Sequence, residues 1–228
     1  MLSGAQQDIG DAVNSFLLVY AALFPIVNPL GAAPVFISLT RHMAADMRHA
    51  LAWRIALNGF LLLLGSLFVG SHVLEFFGIT LPVVRIAGGL VVAAMGWKLL
   101  NEGDDPQGRH AEAPRSAALA LKDAFYPLTM PLTVGPGSIS VAITLGSEKP
   151  KGATDITELA FLGGAAIAGL VGIAATIYVC YRFADRIEGV LGEGGMNVVV
   201  RLSAFILLCI GFQIIWSGYT GLEAPLPH

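Results

Sequence analysis

The residues of this chain that can do chemistry at the membrane midplane sit in two short uncharged segments. The first runs from Phe24 to Ser38 and carries Asn28, Pro29, Gly31 and Pro34. The second runs from Tyr126 to Ser140 and carries Thr129, Pro131, Thr133, Gly135, Pro136, Gly137 and Ser138. One uniform shift lays Pro25 on Pro127, Pro29 on Pro131 and Pro34 on Pro136. Each proline removes a backbone donor and frees the carbonyl four residues earlier, and the glycines permit non-helical dihedrals. A helix that restarts after such a break offers free N–H groups and partial positive charge, which suit a carboxylate. The freed carbonyls suit an ammonium group or a cation. Together with the small hydrogen-bonding side chains of Asn28, Thr129, Thr133 and Ser138, these groups suit a small neutral polar solute, a zwitterion above all.

Freed backbone groups facing lipid cost several kcal/mol each, so the breaks must meet protein, water or ligand. The solvent is indeed lipid. Of the 228 residues 55% are hydrophobic and 13% charged, about half the charge of an ordinary soluble domain, and mean hydropathy is +0.73. The formal net charge of -3 gives no basic face for nucleic acid. The start of the chain has no Lys or Arg before its first apolar run, unlike a cleaved signal peptide, so that run is expected to stay in the protein.

Six runs lack any Asp, Glu, Lys or Arg: 12–40, 55–74, 86–97, 124–147, 159–181 and 202–222. A spanning helix needs about 20 apolar residues. The run 86–97 falls short, so the third helix is expected to start near Leu81-Pro82 and carry Arg85 in its first turns. The expected fold is all-α: a polytopic membrane protein of six transmembrane helices in two inverted three-helix repeats, with helices 1 and 4 broken. Residues 1–100 form the first repeat, 101–117 a polar linker and 118–228 the second. The connections 1–2, 3–4 and 5–6 hold ten of the thirteen basic residues. That bias predicts a cytoplasmic linker and both termini outside. Matching broken helices in two halves point to a transport site at the midplane.

At the two breaks the chain resembles the MarC family, inner-membrane proteins that include the SnatA neutral amino acid transporters. The residues that carry the resemblance are Asn28-Pro29-Leu30-Gly31-Ala32-Ala33-Pro34-Val35-Phe36, Pro127 through Ser138, and Arg85-Ile86-Ala87-Gly88-Gly89-Leu90. Length and six-helix layout match as well. The resemblance implies secondary transport of alanine, glycine or serine across a bacterial inner membrane, coupled to Na⁺ or H⁺, with no cofactor. A homo-oligomer is compatible with it but not required, because the two halves can close a site within one chain. Thr129 and Thr133 stand where smaller or apolar residues are expected, which bears on substrate preference.

Two charged residues are candidates for ion coupling. Asp123 opens the fourth helix one turn before Pro127, and Arg85 lies within the third; the plainer reading of each is an interfacial charge. Gly88-Gly89 and Gly163-Gly164 are expected to let helices pack closely. The histidines show no metal-ligand spacing. No Gly-x-Ser-x-Gly, His-Glu-x-x-His or Walker loop is present, so an enzyme is not expected. A channel would need a continuous polar stripe on several helices. A structural protein would use the breaks for packing and bind no solute.

Overall fold

The computed structural model describes residues 2–40, 43–101, 124–147 and 156–223, and every element among them is helical. In chain order these are α1 (Leu2–Val27), α2 (Pro29–Thr40), α3 (Ala45–Phe76), α4 (Leu81–Asn101), α5 (Ala124–Thr133), α6 (Pro136–Ser147), α7 (Ile156–Arg182) and α8 (Ala184–Glu223). Among the described residues five stretches are long and apolar enough to cross a bilayer: Gly10–Ile37, Ala45–Phe76, Leu81–Asn101, Leu162–Arg182 and Gly194–Leu222. The third starts at Leu81, as the position of Arg85 requires. The remaining uncharged run, 124–147, forms two pieces, α5 and α6, of 10 and 12 residues, neither long enough to span alone. The linker 101–117, apart from Asn101, lies outside the described residues, as does Asp123.

The long helices present large apolar side chains outward. Leu57, Leu61, Phe68, Val69, Leu90, Val171, Phe205 and Phe212 are all exposed, as a lipid-facing surface demands. The buried side is built from Leu23, Phe36, Leu51, Ile55, Leu63, Val134, Leu170, Ile173 and Ile177, each at most 1% exposed. Between membrane helices the lipid removes most of the hydrophobic drive, so close packing of small residues carries the association.

α4 and α8 pack closely in this way along their length. A Cβ added at Gly89 would lie 2.7 Å from the carbonyl oxygen of Gly211, and one at Gly96 would lie 2.6 Å from the Leu208 nitrogen. Gly218 sits equally tightly on Pro82. Rising numbers on one helix thus meet falling numbers on the other, and the two run antiparallel. α1 and α7 run parallel: Gly169 faces Phe16 and Val19, and the Tyr20 hydroxyl meets Thr176 Oγ1 at 2.9 Å. α3 and α6 also run parallel, with Gly59 on Val134, just before α6, and Gly70 on Ile143. α4 crosses α6 in the opposite sense, through Ser140 on Gly88 and Gly137 on Val92. Gly163 and Gly164 do not fit the packing expected of them: an added Cβ at either meets open space, and the close glycines of α7 are Gly169 and Gly172.

The end of the bundle where α2 leads to α3 and α7 turns into α8 carries Arg48, Arg54, Lys98, Arg182 and Arg186, and is called the basic end here. There Arg48 of α3 pairs with Asp185 of α8 at 2.9 Å. Gly192, at φ 66°, divides α8 into a short charged piece from Ala184 and the long apolar one. The short piece carries Asp185, Arg186 and Glu188.

These contacts predict a sharp contrast between glycines. Gly96→Leu should lower the melting temperature of the purified protein or abolish folding, because overpacking costs about 1–3 kcal/mol even where side chains can yield, and here it meets backbone. Gly163→Leu should leave the melting temperature within a few degrees. Thermal unfolding in detergent checks both.

Candidate functional site

The two breaks do not form alike, although their prolines superpose. In the first, the chain turns at one residue. Asn28 adopts φ 47°, the one described non-glycine residue with positive φ, a conformation Asn tolerates better than most side chains. Pro29 then opens α2 at the position where a missing N–H costs least. Asn28 Oδ1 accepts the Gly31 N–H at 3.1 Å, so the side chain caps α2. The same side chain fills the space a Cβ on Gly31 would need. Pro25 and Pro34 stay inside α1 and α2. The first break is therefore one residue wide, and Pro34 lies in a continuous helix rather than at an opening.

In the second segment every proline interrupts the helix. Tyr126 (φ -127°, ψ 125°) and Met130 (φ -115°, ψ 124°) are extended, because a following proline excludes the α region. α5 is consequently a wide turn. The Val134 N–H donates to the Thr129 carbonyl at 2.8 Å, five residues back. The Thr129 hydroxyl donates to Ala124 O at 2.7 Å, and Thr133 Oγ1 lies 2.8 Å from Leu128 O. Two threonines thus supply hydrogen bonds across the widened turns, which explains why hydroxyls stand there. Val134 and Gly135 separate α5 from α6, and Pro136 opens α6. The Ser138 hydroxyl returns to Gly135 O at 2.9 Å.

A cavity of about 80 Å³ lies against this second break. Thr133, Gly135, Pro136, Gly137 and Ser138 form one wall. Val91, Val92 and Met95 of α4, Leu207 of α8, Ile26 of α1 and Leu132 complete it. Among the described residues no charged side chain lines it. The first-turn amides of α6, which have no intrahelical acceptor, border it, and so does the positive end of that helix. Its volume admits a handful of waters or a solute of similar size. A larger space of about 360 Å³ opens at the end opposite the basic one, lined by Ser71, Glu75, Gly78, Thr80, Leu81 and Ser147 among others. None of the expected site residues that are described touches that one.

The structure brings together Thr133, Gly135, Pro136, Gly137 and Ser138 and leaves the other expected site residues elsewhere. Asn28, Pro29 and Gly31 shape the α1–α2 turn, Pro34 lies inside α2, and none of the four lines the cavity. Asn28 itself satisfies the start of α2, so of the two restarted helices only α6 contributes first-turn residues to the cavity lining. Thr129 is fully buried and turned to Ala124 O. Pro131 contributes through the backbone of α5. Arg85 lies half-buried in α4, away from the cavity lining. Among the described residues no three His, Cys, Asp or Glu side chains gather as for a metal ion.

Sequence reasoning missed the apolar wall from α4 and α8, and it missed Tyr181, whose hydroxyl lies 2.8 Å from Thr133 Oγ1. The Gly88-Gly89 pair held a usable signal. Gly88 lets Ser140 approach and donate to the Val84 carbonyl at 2.9 Å, which draws α6 and the cavity against α4.

The cap on α2 can be tested apart from any activity. Asn28→Gly should cost only a few tenths of a kcal/mol, since glycine accepts the positive φ, whereas Asn28→Ala should cost about 1 kcal/mol or more. The order of melting temperatures, wild type then glycine then alanine, is the check.

Comparison with known proteins agrees with this architecture. A family model described as "MarC family integral membrane protein" matches residues 13–222. The protein "UPF0056 inner membrane protein MarC" of Salmonella typhimurium (strain LT2) is 32% identical over 219 residues, covering 92% of this chain and 95% of the relative. The protein of that name in Escherichia coli O1:K1 / APEC is 31% identical over the same shares. No solved structure matches. A family model spanning most of the chain, and relatives aligned along nearly their whole length, leave one assignment: the chain is a membrane protein of the MarC family.

Proposed function

We propose that this protein is a secondary active transporter of small neutral amino acids of the alanine, glycine and serine class. It would work by alternating access across a bacterial inner membrane, driven by a Na⁺ or H⁺ gradient. The observation that carries the reading is the uncharged cavity at the α5–α6 break, with hydroxyls and helix-start amides on one wall and short apolar side chains on the other. The amides of α6 suit a carboxylate, and the carbonyl of Leu132, a lining residue left by Pro136 without its helical donor, suits an ammonium group. Val91, Val92 and Leu207 suit a short side chain, and the volume penalises long ones.

The helix pairing supports two inverted repeats. Exchange helices 1, 2 and 3 of the first unit for helices 4, 5 and 6 of the second, counting α1–α2 and α5–α6 as one helix each. Contacts of α4 with α8 and of α3 with α7 then map onto themselves. α1 with α7 maps onto α5–α6 with α3, and α4 with α6 maps onto α8 with α2, and all these pairs are in contact. The parallel and antiparallel senses fit alternate crossings, so α5 and α6 together make the sixth. The two termini then share one side, and the excess of basic residues at the other end puts the termini outside. Relatives named as inner membrane proteins support that location. The site lies within one chain, so oligomerisation is not needed for the mechanism. Arg85 and Asp123 remain the charges to test for ion coupling.

Binding is measured most simply as thermal stabilisation of the purified protein. Alanine, glycine or serine should raise the melting temperature, by up to about 2.7 kcal/mol of stability at about 100-fold above Kd. Glutamate and lysine should not. Gly135→Leu should abolish the shift by filling the cavity. A shift that survives Gly135→Leu would remove the solute from this site, and a panel without any response would remove the substrate class.

A further inference from the structure

At the basic end of the bundle one aromatic side chain touches both broken spans. Tyr181, the penultimate residue of α7, is 2% exposed. Its ring stacks on Phe36 of α2 with centroids 4.6 Å apart and planes 11° apart. Its hydroxyl meets Thr133 Oγ1, at the end of α5, at 2.8 Å. Thr133 Oγ1 also lies 2.8 Å from Leu128 O. Thr133 has one hydroxyl hydrogen, so a consistent network has Thr133 donating to Leu128 and Tyr181 donating to Thr133. Phe36 is held in turn, since its carbonyl accepts the buried Thr40 hydroxyl at 2.7 Å. The Arg48–Asp185 pair joins α3 to α8 at the same end. The opposite end carries the open 360 Å³ space.

We propose that Tyr181 is the gate residue of the basic end, latched by its hydrogen bond to Thr133. This rests on the transport reading above and goes beyond it by naming the closing contact. Thr133 belongs both to the latch and to the cavity wall. A solute that takes up the Thr133 hydroxyl competes with the phenol for it, which ties occupancy of the cavity to release of the gate. Opening leaves the phenol without its partner among apolar neighbours, a costly state unless water follows it in. An open gate is therefore a wet one.

Cys180, buried beside Tyr181, is a native reporter of that water. The experiment measures N-ethylmaleimide modification of Cys180 in proteoliposomes, with the exposed Cys209 replaced by Cys209→Ser. Wild type should label slowly. Tyr181→Phe keeps the ring stack and removes the latch, and should label several-fold faster. Thr133→Val removes the same bond from the other side and should do likewise, which covers a Tyr181→Phe protein that fails to fold. Thr133→Ser keeps the hydroxyl and should label as slowly as wild type. Wild-type rates in the folded Phe and Val variants, or a Ser variant as fast as the Val variant, would overturn the proposal. The labelling needs no solute, so a failed gate and a failed transport reading are told apart.

Discussion

The constraint on which this structure depends is the need to satisfy backbone polar groups inside lipid. A continuous helix does so by itself, and a broken one cannot. This chain breaks two of its membrane segments and settles the resulting deficit in different ways. At Asn28 a single side chain accepts the orphaned N–H of Gly31, and the turn is finished within one residue. At 124–136 the deficit is larger. Hydrogen bonds five residues long, and two threonine hydroxyls that follow the same spacing, absorb most of it. What they leave over is the start of α6, and that is where the cavity lies.

The packing follows from the same constraint. A break is tolerable only when shielded from lipid, so both must be carried to the interior. α7 lies against the first span and α3 against the second. Glycines at the contacts bring the backbones together: Gly169 and Gly172 for α1, Gly59 and Gly70 for α6 and the residue before it. α4 and α8 then pack on each other along their length and supply the apolar wall. The two breaks differ in conformation although their prolines superpose. One break shapes a turn, and a cavity lies against the other.

Much of the architecture was legible in the sequence, and the reasons are physical. Uncharged runs mark helices because lipid excludes charge, and the shortfall of run 86–97 placed the start of α4 at Leu81. The prolines identified both breaks. They did not reveal which would open. Asn28 can adopt positive φ and cap in one move, and that depends on a local conformation that aligned prolines do not disclose. Nor could spacing show that Thr129 turns to Ala124 and away from the cavity. Tyr181 escaped notice because it ends an apolar run, where a tyrosine reads as an interfacial anchor. Only the approach of α7 to α5 places its hydroxyl on Thr133.

The central claim is that the cavity at the α5–α6 break carries a small neutral amino acid across the membrane. The most direct test is uptake of labelled alanine into proteoliposomes under an imposed Na⁺ or proton gradient, with an unlabelled amino-acid panel as competitor. The account predicts saturable, gradient-stimulated uptake that glycine and serine block and that glutamate and lysine leave alone. Folded protein that takes up no alanine under either gradient would contradict it.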